Sequence, residues 1–377
     1  MTRTSNTNNK PLKVSVILAA RNEEKYIRKC VDSLLAQDYP NFEIICIDDS
    51  SSDNTLGIMQ EYQLIHPNKM TVIDAKLPSD DWIGKNWACY QGYLISTGEI
   101  FLFTDADTHC TPCTLSLAVE YLSKDRLDAL TLRPRILCES LWSKIIFPVV
   151  LTFSHVKYSS GRINDNKSKK HGYFFGCFYL IRRKTYESVG THEGVKNQII
   201  EDVALGEKVK QGGFRLRVCR GEHHVKTVAA CSFSTILQGL KRGFNLISFS
   251  SNNIFNAFLI WLLLAQPIFV LIALLLFRLY TPSTEHNLLY ENLLVTCLVT
   301  LLAIIITTSI QSKTGLSQNL LYGFASPLVV LVMSFVFVLS LVNRLNADTY
   351  NVDWRGRQYV ITKASTVNTL EENKNKR

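Results

Sequence analysis

Charge is missing from three long stretches of this 377-residue chain: none occurs between Gly243 and Phe277, between Asn292 and Ser312, or between Thr314 and Asn343. Each stretch can cross a hydrocarbon core, which needs about 20 residues. A fully soluble enzyme is thereby excluded. The polar, Asn/Thr-rich start, Met1 to Lys10, lacks the apolar core of a signal peptide, so the N-terminal part is expected to stay in the cytoplasm. No internal repeat, collagen period or low-complexity tract is visible. A disulfide framework is also missing: the 10 cysteines are scattered, and Cys46 and Cys297 sit inside apolar runs, as reduced core thiols do. Cys110-Thr111-Pro112-Cys113 is a lone C-x-x-C with no second pair, so metal or redox use is not expected of it. No nucleic-acid-binding module is present, and no nucleic-acid partner is expected.

What is present is 47% hydrophobic residues and a formal charge of +9, from 41 basic and 32 acidic residues. Beside the apolar stretches, that excess reads as charge for the cytoplasmic membrane face. From Leu12 to Cys231 strand-like and helix-like patterns alternate. Val14–Ala19, Glu43–Ile47, Met70–Ile73 and Ile100–Thr104 read as buried strands. Glu24–Gln37, a segment capped by Asp53 and running to Leu64, Asn86–Ile95 and Thr111–Leu122 read as helices. This succession predicts an α/β fold with a mainly parallel sheet flanked by helices. Ligands of such sheets bind at the carboxyl ends of the strands, here after Ala19, Ile47 and Thr104. Ile136–Ser154 reads as a helix on the membrane interface or as ordinary core, Gly161–His171 as a surface loop, and Thr366–Arg377 as a polar, disordered tail.

Three acidic motifs stand at the places where chemistry is expected. Asp48-Asp49-Ser50-Ser51-Ser52-Asp53-Asn54-Thr55 ends the second strand, where acids can accept hydrogen bonds from a base and a ribose. Asp105-Ala106-Asp107-Thr108-His109 ends the fourth. Two carboxylates this close repel unless a cation sits between them, and a hard divalent ion there would bridge to a diphosphate. Glu201-Asp202 opens a short helix that closes at Gly212-Gly213. Acids there suit the helix dipole, and one of them could be a general base for an acceptor hydroxyl.

In order along about 220 residues, these motifs resemble those of the inverting family 2 glycosyltransferases of the GT-A (Rossmann-like) fold. Ala19-Ala20-Arg21-Asn22-Glu23 resembles the first nucleotide loop and Asp48–Thr55 the second. Gly84-Lys85-Asn86-Trp87-Ala88 resembles the lysine segment, Asp105-Ala106-Asp107 the metal motif, Gly176 with Arg182, Arg183 and Tyr186 the segment before the base, and Glu201-Asp202 the base motif. The resemblance implies that Ala20, Glu23 and Asp49 contact the nucleoside, with Asp49 toward the uracil or ribose, and that Lys85 lies near the donor. It implies that Asp105, also on the donor side, and Asp107 hold Mg²⁺ or Mn²⁺. Asp202 is then the catalytic base with Glu201 beside it. His109 falls where polyprenyl-phosphate sugar synthases carry a metal ligand; His223 and His224 are rivals for that place.

The rest of the chain narrows the resemblance. Gln238, Lys241 and Arg242 stand where processive members carry Gln-x-x-Arg-Trp, but the Trp is missing. This segment, and Trp354-Arg355-Gly356-Arg357, look more like membrane glycosyltransferases acting on carotenoid- or hopanoid-type lipids. Val189-Gly190-Thr191-His192 departs from the double glycine common in the family. The expected organisation is a polar segment (1–11), a GT-A domain (12–232), an interfacial amphipathic segment (233–253), a membrane domain of about three helices (254–343) and a basic, polar tail (344–377). Three spans place the tail outside, while Arg344, Arg355, Arg357 and Lys363 favour the cytoplasm. The expected activity is transfer of a sugar from a nucleotide donor, a UDP-sugar in first place, to a lipid or polyprenyl acceptor among membrane lipids at the cytoplasmic face of the cell membrane. The alternatives are a polyprenyl-phosphate sugar synthase and an inactive nucleotide-sugar-binding membrane protein.

Overall fold

The computed structural model describes residues 11–76, 78, 81–157, 160–169, 171–249, 265–278, 288–346, 349–354, 357–362 and 367–369. The chain divides into two units, one within Met1–Arg135, Tyr158–Thr227 and Val367–Glu372, the other within Ile136–Lys157, Val228–Thr366 and Asn373–Arg377. Ile136–Lys157 thus clusters with the second unit.

The first unit is built on β1 (Val14–Ala20), β2 (Phe42–Asp48), β3 (Met70–Asp74), β4 (Ile100–Asp105), β5 (Thr108–Cys110) and β6 (Ala129–Arg133). β7 (Arg135–Leu137) leads out of it; β8 (Phe178–Arg182), β9 (Leu216–Arg220) and β10 (Val225–Val228) follow. Its helices are α1 (Ile27–Leu35), α2 (Thr55–Ile65), α3 (Gly84–Ile95) and α4 (Thr114–Lys124). After α5 (Leu141–Lys157), which belongs to the second unit, come α6 (Ser160–Asn164), α7 (Arg183–Ser188) and α8 (Glu201–Gln211). Seven strands form one sheet in the order β3-β2-β1-β4-β8-β6-β9.

Both faces of this sheet are covered, which is why its strands are apolar at nearly every position. Val14, Val16 and Leu18 of β1 pack on one side with Ile44 and Leu102. Ile17 points to the other, with Ile45, Ile47, Phe101 and Phe103. Parallel register aligns Ala20 with Asp48 and Ala19 with Asp105, so the loops leaving β1, β2 and β4 emerge side by side.

β8 runs antiparallel to β4 and β6, a reversal that the alternating pattern did not predict. Its consequence is positional. Phe178 pairs with Thr104, so the start of β8, rather than its end, meets the edge where β4 delivers Asp105. The Gly161–His171 loop also differs from expectation, since it begins inside α6, whose Ile163 is buried. At the departure from the double glycine, Gly190 and Thr191 have φ of 90° and 56°. The backbone adopts the left-handed form at both positions although a β-branched residue fills the second.

The second unit contains α5, α9 (Phe233–Phe249), α10 (Ala265–Arg278), α11 (Leu288–Thr314) and α12 (Ser326–Asn346). Ile146 and Val149 of α5, Ile236 and Phe244 of α9, Ile268 of α10, and Val329, Met333 and Phe337 of α12 form its apolar cluster. The α5 segment is therefore partly core, while its Leu141 and Trp142 remain exposed. Two helical stretches, Leu288–Thr314 and Leu320–Asn343, are long and apolar enough to cross a membrane. The third expected span lies within Gly243–Phe277, of which residues 250–264 are outside the described residues, and Ala265–Arg278 alone is shorter than a bilayer core requires. On α11, Leu298, Val299 and Leu302 are 50%, 60% and 55% exposed. In the tail β11 (Thr349–Trp354) pairs antiparallel with β12 (Arg357–Thr362), and Val367–Thr369 is a further strand within the segment expected to be disordered. Arg355 and Gly356 of the tail motif, and Met1–Lys10, lie outside the described residues.

Gly98 sits where the chain enters β4, and a Cβ there would lie 2.5 Å from the Ser15 backbone nitrogen. Backbone on β1 cannot yield as a side chain could. Gly98→Ala is expected to destabilise the first unit by about 2 kcal/mol. Thermal unfolding of the detergent-solubilised protein checks this; an unchanged midpoint would contradict the close approach.

Candidate active site

The loops after β1 and β2 are fastened to each other. Arg21 Nη1 donates to the carbonyls of Asp49 (2.5 Å) and Ser50 (2.9 Å). The Asn22 amide donates to Ser51 Oγ (3.0 Å), and the Ser52 amide returns a bond to Asn22 Oδ1 (2.8 Å). The Glu23 amide donates to Thr55 Oγ1 (2.8 Å). Asp53 takes the amides of Thr55 (3.0 Å) and Glu24 (3.1 Å), while Glu24 takes that of Asn54 (3.2 Å). Asp53 thus caps α2 from one position before its N-cap, Asn54. Asn22 and Ser50 both have φ of 54°, a turn geometry that these bonds hold in place.

These contacts bring Ala20, Glu23 and Asp49 together, all buried. Asp48 is more buried still. Its Oδ2 accepts from the Ser51 amide (2.9 Å), and its Oδ1 has no hydrogen-bond partner among the described residues. Buried carboxylate oxygens are rarely left so. The sequence offered Asp48 only as one of two neighbouring acids.

Lys85, on the first turn of α3, is the centre of charge. Its Nζ lies 2.8 Å from Asp105 Oδ1 and 2.7 Å from Glu201 Oε1. Burial works against its charge, but Asp105 and Glu201 outweigh it and hold the ammonium well above its ordinary pKa. Glu201 is 4% exposed. Asp202, next to it on α8, takes the Gly176 amide on Oδ2 (3.0 Å) and the Val203 amide on Oδ1 (2.8 Å). Burial first, and the Glu201 charge second, push Asp202 up to about 7. A Cβ on Gly176 would stand 2.7 Å from Asp202 Oδ2, so any side chain there would displace the carboxylate.

Asp107 is partly exposed and accepts from the hydroxyls of Thr227 (3.1 Å) and Thr108 (3.4 Å). Thr108 pairs with Thr227 across the β5–β10 ladder, and His109 pairs with Lys226. Neighbouring strand residues face opposite ways, so His109 lies on the face away from the threonines that reach Asp107. Burial, then Lys29 and Lys226, lower the His109 pKa to about 4. The expected third ligand is therefore not brought to the acid pair. His224 instead places Nδ1 3.1 Å from Thr111 Oγ1 and 3.8 Å from Cys113 Sγ. Among the described residues no group of three His, Cys, Asp or Glu side chains is arranged around a metal position. Two partly exposed carboxylates still suit a hard cation such as Mg²⁺ or Mn²⁺, which fills its remaining places with water and substrate phosphate.

Arg182, Arg183 and Tyr186 serve the frame. Arg182 Nε donates to the Leu127 carbonyl (2.7 Å), and Arg183 Nη2 to that of Ser96 (2.7 Å). Tyr186 Oη is 2.6 Å from Nδ1 of buried His192, whose pKa burial and Lys85 lower to about 3. The contacts that sequence did not expose are Lys85–Glu201 and Gly176–Asp202, each joining segments far apart in the chain.

Residues 15–190 match Glycosyl transferase family 2. A 4,4'-diaponeurosporenoate glycosyltransferase of Staphylococcus aureus is 26% identical over 371 residues, covering 96% of this chain and 91% of the relative. A mannosyltransferase of Pyrobaculum calidifontis, solved with GDP-Man and Mn²⁺, superposes with a TM-score of 0.52 at 18% identity, over 88% of this chain and 86% of that one. The likeness to the solved structure is one of fold, the GT-A arrangement of a mainly parallel sheet with flanking helices.

Lys85→Met would leave Glu201 buried without its cation, costing about 2 kcal/mol once the partial exposure of Lys85 is allowed for. Lys85→Met combined with Glu201→Gln is expected to cost less than Lys85→Met alone. Thermal unfolding of the single and double variants tests this coupling; strictly additive losses would contradict it.

Proposed function

We propose that this chain, whose residues 15–190 match Glycosyl transferase family 2, is an inverting, membrane-bound glycosyltransferase moving a sugar from a UDP-sugar to a lipid acceptor at the cytoplasmic membrane face. The observation that carries this reading is the cluster of Lys85, Asp105, Glu201 and Asp202, in which one carboxylate has a pKa near neutrality. The uridine donor rests on the resemblance of the two nucleotide loops. The lipid acceptor rests on the two apolar helices and on the Staphylococcus aureus relative, whose named substrate is a long apolar acid. An acceptor of that carotenoid-acid type is proposed here too.

In this reading Ala20, Glu23 and Asp49 receive the nucleoside. Asp105 and Asp107 would hold Mg²⁺ or Mn²⁺, which when bound would supply charge neutralisation for the diphosphate. The Lys85 ammonium adds positive charge on the same side, set by Glu201. Asp202 takes the proton from the acceptor O–H as the acceptor oxygen bonds to the anomeric carbon. The bond from that carbon to the diphosphate oxygen breaks, and its electron pair leaves with the nucleoside diphosphate. The Gly176 and Val203 amides fix the carboxylate during the transfer. An acceptor carboxylate is already ionised and attacks the anomeric carbon directly, giving Asp202 no proton to take, so the base step applies to a hydroxyl acceptor.

The base must be deprotonated to act, so transfer to a hydroxyl acceptor is expected to rise with pH through about 7 and to fail below it. Glu201→Gln removes a charge that raises Asp202 and is expected to move this limb to lower pH. Asp202→Asn is expected to lower kcat by about 10²–10⁴-fold with donor binding kept. Asp107→Ala is expected to abolish cation-dependent turnover. The measurement is release of nucleoside diphosphate from a panel of nucleotide sugars by detergent-solubilised protein with Mn²⁺ and either native lipid extract or 4,4'-diaponeurosporenoate. Full turnover by Asp202→Asn with a hydroxyl acceptor would remove the assigned base, and absence of donor binding by folded wild-type protein would remove the whole reading.

A further inference from the structure

We propose that Asn86 is a positioning residue that ties the base-bearing segment to the donor-side helix, a role that rests on the reaction proposed above. Asn86 follows Lys85 on the first turn of α3 and is fully buried. Its Nδ2 faces three backbone carbonyls, those of Val195 (2.9 Å), Lys196 (3.1 Å) and Gln198 (2.9 Å). Its Oδ1 has no hydrogen-bond partner among the described residues. With three acceptors converging, the amide nitrogen must point at them; the opposite flip would set oxygen against oxygen.

The same segment is held twice more from the same side. The Ile83 amide donates to the Lys196 carbonyl (2.8 Å), and Lys196 Nζ pairs with Asp81. Gln198 stands just ahead of α8, so the tie ends close to Glu201 and Asp202. Lys85 completes the bracket by pairing with Glu201 itself.

Adjacent residues of one helical turn therefore do two jobs. Lys85 senses charge at Asp105 and Glu201, while Asn86 fixes the backbone that presents Asp202. Amide-to-carbonyl bonds are uncharged and do not depend on the charge of Lys85 or its partners. Asn86 thus keeps Asp202 in register with the donor. A loss of that register affects the chemical step and leaves nucleoside contacts intact, since Ala20, Glu23 and Asp49 belong to other loops.

The test uses the full-length protein in detergent, as Asn86→Asp, which keeps the shape but loses the donor, and Asn86→Ala, which adds no charge. Hydrogen exchange of amides in 193–202 is expected to quicken at least tenfold in both, with β1 and β4 amides still protected. With Mn²⁺ and the donor and acceptor found active for wild type, kcat is expected to fall at least tenfold and donor KM to stay within twofold. Unchanged exchange in 193–202, unchanged kcat, or a raised donor KM with kcat kept would each overturn the proposal. Loss of protection in β1 and β4 would also overturn it, marking Asn86 as a residue of the fold. Should wild-type protein turn over no donor, the proposed reaction falls, while the exchange measurement still decides the tie.

Discussion

One ammonium group sets the terms for the first unit. Lys85 sits between the end of β4 and the start of α8, 2.8 Å from one carboxylate and 2.7 Å from the other. Removing a lysine from water costs several kcal/mol unless negative charge replaces the lost hydration. Glu201, almost fully buried, faces the mirror problem. Buried Glu201 takes its countercharge from the partly exposed Lys85, and Lys85 takes Asp105 as well, so the pairings draw α3, β4 and α8 together. The asymmetry is chemical as well: burial first, and the neighbouring Glu201 charge second, raise the pKa of Asp202.

The sheet supplies the convergence. Parallel register delivers the ends of β1, β2 and β4 to one edge. The reversed β8 brings Gly176 near that edge from the opposite direction, because an antiparallel strand begins where its neighbours end. Without that reversal the Gly176 amide would have no route to Asp202. The second unit follows a different solvent logic, with an apolar cluster among α5, α9, α10 and α12 and a largely uncovered apolar surface on α11.

Much of this was legible in the sequence because local signals coincide with the fold. The strands at Val14, Phe42, Met70 and Ile100 announce themselves as apolar runs, and the acids at their ends follow from the binding rule for parallel sheets. α8 was legible from an acidic pair at its start and glycines after its end. The direction of β8 was not, since an apolar run reads the same either way. His109 was drawn to the acids by nearness in sequence, whereas strand alternation turns it aside. Asn86 carries no signal at all: its three partners are backbone carbonyls, and any residue there would offer those.

The stitched pair of loops after β1 and β2 has a thermodynamic meaning. Each bond from Arg21, Asn22, Glu24 and Asp53 orders a stretch of backbone while the protein folds. The entropy of arranging this wall is therefore spent before any ligand arrives. A molecule seating itself there meets a finished surface, and its association carries little loop-ordering penalty.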